Sequence, residues 1–198
     1  RRIIIMSMKE AFDTFFEEMT QNYLKKRGVP PKAPCKEEKY PTGLFLLETL
    51  DDNGYAQWKP KLQQKSVSFE SVERELGFSI HPQIKDFLST YWFLALDGRI
   101  QTLSQKVVLR LNGLTPYSDL HEHIISSFDN EQTHYLSDNK YFLIGTYCMI
   151  DGNDSYLVHV NNATGEVTAV DVMDKVSVKL ANSIEELLMN MKGIWIIK

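Results

Sequence analysis

The sequence predicts an α+β fold: a single domain with a central, mostly antiparallel sheet flanked by helices. Three observations carry this reading. Capped helical patterns stand at both ends of the chain and in two places between them, the first of which holds two short helices. Apolar runs in the second half alternate with short Asp-Gly and Thr-Gly turns, which connect strands as hairpins and make them antiparallel. And 198 residues that are 43% apolar can bury one substantial core.

Residues 1–7 are expected to be cloning-derived or disordered, and residues 8–198 to form the domain. Arg1-Arg2 precedes a short apolar run that ends at Lys9 and Glu10, so it reads as neither a signal peptide nor an anchor. Ser7 followed by Glu10 is a capping-box pattern, and Phe12, Phe15, Phe16, Met19 and Tyr23 recur at helical spacing. That places a helix from Met8 to Arg27. Its acidic residues come first and Lys25-Lys26-Arg27 last, matching the helix dipole, with Gly28 as the stop. The basic triplet also suits a phosphate, but dipole matching is the plainer explanation.

Val29 to Pro41, with four prolines and no periodicity, reads as an irregular crossing. Gly43–Leu50 and Tyr55–Lys59 bracket Asp51-Asp52-Asn53-Gly54, a hairpin turn. Ser68 is expected to cap a short helix through Val72 and Leu76 to Gly77. His81-Pro82 opens another, with Ile84, Phe87 and Leu88 inward. Strands are then expected over Tyr91–Leu96, Ile100–Leu103 and Val107–Leu111, with a turn at Asp97-Gly98. Ser118 is expected to cap a helix through Leu120, Ile124, Ile125 and Phe128. Four strands follow, at Tyr141–Met149, Ser155–Val160, Glu166–Met173 and Val176–Leu180. Ser183 with Glu186 starts a closing helix through Leu187, Leu188 and Met191.

Little in the sequence points to catalysis or metal binding. Cys35 and Cys148 are too few for a disulfide framework or a structural zinc site, and a reducing cytoplasm is the expected compartment. His121-Glu122-His123 invites a metal reading, but residues two apart on a helix do not share a face, and no further ligand stands at usable spacing. Asp51–Gly54 and Asp151–Asp154 resemble pieces of calcium loops without the closing glutamate. No phosphate loop, dinucleotide fingerprint or nucleophile elbow occurs. An enzyme would need acidic residues to converge with His121, His123 or His134 in one apolar pocket. The expectation is therefore no catalytic residue, no metal and no cofactor.

Charge is the informative feature. The total is -4, 22 basic residues against 26 acidic, which gives no reason to expect a nucleic-acid binder. Between Thr115 and Asp174, however, ten acidic residues face one basic residue, Lys140, so this segment carries -9 and the remainder +5. An acidic surface attracts a basic partner in a salt-dependent way. Clustering in sequence does not by itself mean clustering in space. The residues selected for partner binding are Asp119, Glu122, Asp129, Glu131, Asp138, Asp151 and Asp154.

Several scattered motifs fall into one order. Tyr55-Ala56-Gln57-Trp58-Lys59-Pro60, then Val72-Glu73-Arg74 with Phe78, Ile80, Pro82, Ile84 and Phe87, resemble the central signature of the Syd family, within the SUKH superfamily. Pro34-Cys35, Gly165-Glu166-Val167 and the final helix (Leu180-Ala181, Ser183, Glu186, Leu187, Leu188) resemble its flanking motifs, so the likeness spans Met8 to Lys192. The resemblance implies the same α+β fold and a binding function without catalysis. It implies docking of an acidic concave surface on basic loops at the cytoplasmic face of SecY, the protein-export channel. Such a protein is cytoplasmic and only peripherally membrane-associated. The superfamily equally implies an alternative, an immunity protein that neutralises a secreted toxin such as a nuclease through a basic toxin domain. An extra Lys61–Ser68 stretch and a long Asn130–Lys140 loop depart from the Syd pattern. Trp58 reads as core, and Glu73-Arg74 as local ion-pair formers.

Overall fold

The computed structural model describes residues 6–34, 51–64, 66–101, 105–116, 119–129 and 140–194. Helix α1 (Met8–Arg27) opens it as the periodicity predicts. The Ser7 hydroxyl accepts from the Glu10 amide while the Glu10 carboxylate accepts from the Ser7 amide, and Gly28 stops the helix in the left-handed conformation. Phe12 and Phe16 stack with each other and pack with Phe93 and Tyr91 at centroid distances of 5.3–6.3 Å, forming one end of the core.

The crossing after α1 is more regular than its prolines suggest. Strand β1 (Lys32–Pro34) pairs antiparallel with β2 (Tyr55–Gln57), as Pro34 can at the end of a two-stranded ladder. The turn at Asp51–Gly54 is present: the Asp51 carboxylate accepts from the amides of Asn53 and Tyr55, both at 3.0 Å. The other expected arm, Gly43–Leu50, lies outside the described residues, as does Cys35. Trp58 is buried in the core. Short β3 (Lys61–Leu62), which the sequence reading missed, pairs with β4 (Tyr91–Trp92), so the expected strand over Tyr91–Leu96 is broken. The Gln63 side-chain amide secures this junction by donating to the carbonyls of Leu88 and Tyr91.

Helix α2 (Glu70–Leu76) ends at Gly77 as expected, but its N-cap is Phe69 rather than Ser68, with no side-chain cap. Helix α3 (Pro82–Thr90) is capped by the His81 ring and buries Ile84, Phe87 and Leu88. The expected turn at Asp97-Gly98 does not form, because β5 (Leu96–Gln101) runs straight through both residues. Asp97 lies opposite Arg110 of β6 (Lys106–Leu111) and takes a two-pronged ion pair from it at 2.5 and 2.8 Å. Gly98 leaves room for Met191, whose side chain would collide with any Cβ there.

The main sheet has the order β10-β9-β8-β7-β6-β5-β11, every described pairing antiparallel. Here β7 is Tyr141–Ile150, β8 Asn153–Asn161, β9 Val167–Asp171, β10 Ser177–Ala181 and β11 Lys192–Gly193. Strand β6 and the four last strands match the sequence reading. Helix α4 (Leu120–Phe128) packs on the start of β7, and α5 (Ile184–Asn190), capped by Ser183, packs with α1. The cap of α4 is Asp119; Ser118, the expected cap, lies outside the described residues.

Candidate partner-binding surface

The selected acidic residues fall into two groups. Asp119, Glu122 and Asp129 belong to α4 and its two ends, and all three are exposed. They stand three and seven residues apart, a spacing that keeps them on one helix face, while buried Ile124 lies on the opposite face. The helix is amphipathic in the ordinary sense, so burying Ile124 and Phe128 turns the carboxylates outward. Phe128 packs edge-on to Phe142 at 5.0 Å and to Phe78 at 5.1 Å, which ties α4 to both the sheet and the α2–α3 connection.

The ends of α4 hold its acids in different ways. Asp119 accepts from the Glu122 amide at 3.1 Å as the N-cap, and Glu122 in the first turn favours the positive end of the helix dipole. Asp129 occupies the C-cap. Helix α2 adds a carboxylate that sequence order did not suggest: Glu75 lies 2.7 Å from His121 Nε2. The charge count stopped at Thr115, and only the packing of α2 on α4 brings Glu75 alongside. The Lys140 ammonium lies 5.7 Å from the centre of the Phe78 ring. Glu73 is paired with Lys85 at 2.6 Å and accepts from the Ile80 amide, and these contacts hold its carboxyl below the usual range.

Asp151 and Asp154 form the second group, at the opposite end of β7. Eight residue steps along β7 separate Phe142 from Ile150, about 25 Å of strand. Asp151 sits in the β7–β8 turn at φ 49° and accepts from the Lys106 amide at 3.0 Å. Asp154 is exposed beside it. The β9–β10 turn shares this end, since the Asn153 amide reaches the buried Asp171 at 3.1 Å. Asp171 also accepts from the Met173 and Asp174 amides. The Ser155 hydroxyl and these amides hold its carboxyl below the ordinary value. Glu166 pairs with Lys179 across β9 and β10 at 2.5 Å. Glu131 and Asp138, with His134, lie outside the described residues.

Reactive groups are spread apart. His123 is half-buried against Phe142, and burial holds its pKa low. Cys148 lies in the core, where burial pushes its thiol up to about 12, far from a reactive thiolate. His159 of β8 is fully buried opposite Thr168 of β9, and among the described residues neither its ring nitrogens nor the Thr168 hydroxyl has a hydrogen-bond partner. Among the described residues, no three His, Cys, Asp or Glu side chains gather as a metal site would require. No described helix is long and apolar enough to cross a membrane.

An α+β domain with exposed carboxylates along α4 and at its two ends is the class these features define. Comparison with known proteins makes it specific. The family described as Syd protein (SUKH-2) matches residues 9–193. A protein named Protein Syd from Shewanella pealeana is 25% identical over 183 residues, covering 92% of this chain and 81% of its own. Those from Colwellia psychrerythraea (24%, covering 92% and 90%) and Pseudoalteromonas atlantica (21%, covering 76% and 80%) carry the same name. The chain belongs to the Syd family.

Proposed function

We propose that this protein is a non-catalytic binder that docks from the cytoplasm on basic loops of SecY. Asp119, Glu122 and Asp129 with Glu75 form the principal contact, and Asp151 and Asp154 a second one. The observation that carries this reading is the alignment of the α4 carboxylates on one exposed helix face, joined there by Glu75. Cytoplasmic loops of membrane proteins are rich in Lys and Arg, so such a face has the right sign for them. Charges of this kind speed encounter and select partners more than they add raw affinity, so each contributes modestly and the set acts together. Membrane association then arises through the protein partner.

The test is binding of the chain to SecY-containing membranes and to peptides of the cytoplasmic loops, compared with the Glu75→Lys/Glu122→Lys/Asp129→Lys triple variant. Retention by wild type and loss by the variant supports the reading. Equal binding by both overturns the acidic-face mechanism. Tight capture of a soluble basic toxin domain, with no affinity for SecY, would replace the partner while keeping the face.

A further inference from the structure

Between α2 and α3 the chain is pinned on both sides of one aromatic residue. Gly77 stops α2 at φ 75°, its amide donating to the Glu73 carbonyl at 3.0 Å. The Glu73 carboxylate then accepts from the Ile80 amide at 2.7 Å. Asn162, just beyond β8, holds the same connection from the sheet. Its side-chain oxygen accepts from the His81 amide at 2.7 Å and its side-chain nitrogen donates to the Ser79 carbonyl at 2.9 Å. Phe78 reaches from this fixed segment to α4, where its ring meets Phe128 edge-on at 5.1 Å and 82°. Phe128 rests in turn on Phe142 of β7, and the Lys140 ammonium lies against the Phe78 ring.

Glu75 stands three residues before Phe78 and reaches His121 at 2.7 Å. The two side chains are 58% and 43% exposed, and a pair so open to water contributes at most about fivefold to an equilibrium. That is too little to set how two helices meet. An edge-to-face ring pair contributes about twofold to tenfold beyond the apolar surface it buries. For Phe78 this gain comes from a segment whose backbone is already fixed, so little ordering entropy opposes it. The magnitudes place the alignment of α2 with α4 in the ring contact and make the approach of Glu75 to His121 its consequence. Because the ring carries no charge, its contribution is separable from that of the carboxylates.

We propose that Phe78 is a positioning residue of the acidic face: its ring, set against Phe128, aligns α2 with α4 so that Glu75 joins the α4 carboxylates. This rests on the reading of that face as the docking surface, and the experiment separates failure of the one from failure of the other. Binding of a fluorescent hexalysine peptide at low salt is measured for wild type, Glu75→Gln, Phe78→Leu and the double variant. Glu75→Gln weakens binding about threefold in wild type, Phe78→Leu weakens it as much without changing any charge, and the double variant loses nothing further. Such non-additivity is the mark of a residue that acts by placing another. Phe78→Tyr keeps the ring and retains both wild-type affinity and sensitivity to Glu75→Gln. Phe128→Leu, which removes the other half of the contact, repeats the Phe78→Leu result. Equal loss on Glu75→Gln in the wild-type and Phe78→Leu backgrounds, or a Phe78→Tyr variant that behaves as Phe78→Leu, overturns the proposal. A second readout needs no peptide: the nitrogen resonance of His121 Nε2 moves on Glu75→Gln in wild type and stays in place in Phe78→Leu. A shift of the same size in both backgrounds overturns the positioning role. Wild type that fails to bind hexalysine overturns the acidic-face reading instead, and the His121 resonance then decides the role of Phe78 alone.

Discussion

Helix α4 and the strand ends of β7–β10 carry the same kind of residue and use it differently. On α4, Glu122 points away from the core and the carboxylates line an outer face. At the strand ends, Asp151 accepts from the Lys106 amide, and Asp171 accepts from Met173, Asp174 and Asn153. Those carboxylates hold turns closed. His159 and Thr168, on neighbouring strands of the same sheet, are buried polar groups whose side chains find no partner among the described residues. The difference teaches that a run of acidic residues in sequence mixes two populations: Asp151 and Asp171 close turns of the sheet, while Glu122 stands exposed on a helix face.

The largest effect expected to test this division is the acid sensitivity set by His159. Burial holds its ring at about 4, below the ordinary 6.5, so the unfolded chain takes up a proton first. Its contribution is complete above pH 6.5 and is lost as pH falls towards 4, amounting to about 3 kcal/mol. Urea unfolding at pH 7 and pH 4.5 should show this loss, and His159→Leu should flatten it; an unchanged slope would remove His159 from the account. Next, Asp171→Ala removes the acceptor for two turn amides and should cost about 2 kcal/mol in urea unfolding, without changing affinity for a basic loop peptide. Charge reversal on the helix, Glu75→Lys with Glu122→Lys, should do the opposite. Peptide affinity falls about tenfold at low salt, while the unfolding midpoint moves by the small amount typical of surface substitutions. Asp154→Asn should give the smallest change, a loss of affinity within about twofold. An effect as large as that of the α4 pair would make the strand ends an equal partner surface.

Much of the fold was legible because local signals agreed with tertiary packing. Ser7 and Glu10 cap α1, His81-Pro82 opens α3, and four successive hairpin strands lie where their turns put them. The misses came where packing overrode local chemistry. Asp97-Gly98 has turn residues, but Arg110 opposite and Met191 above keep them in a strand. Short pairings such as β3 with β4 and β11 with β5 have no periodicity to read, because two residues cannot show a period. The α4 acids were visible as charge, yet the approach of Glu75 to His121 depends on α2 and α4 meeting, with Phe128 packed on Phe78 of the α2–α3 connection.

The most direct measurement of the central claim is the salt dependence of binding to SecY cytoplasmic loops. The screening length falls from about 10 Å at 0.1 M salt to about 3 Å at 1 M. Docking through the α4 face predicts a steady decline in affinity, about tenfold or more across that range, and a shallower slope in the Glu75→Lys/Glu122→Lys variant. Affinity that stays flat or rises with salt, in wild type and variant alike, would contradict it.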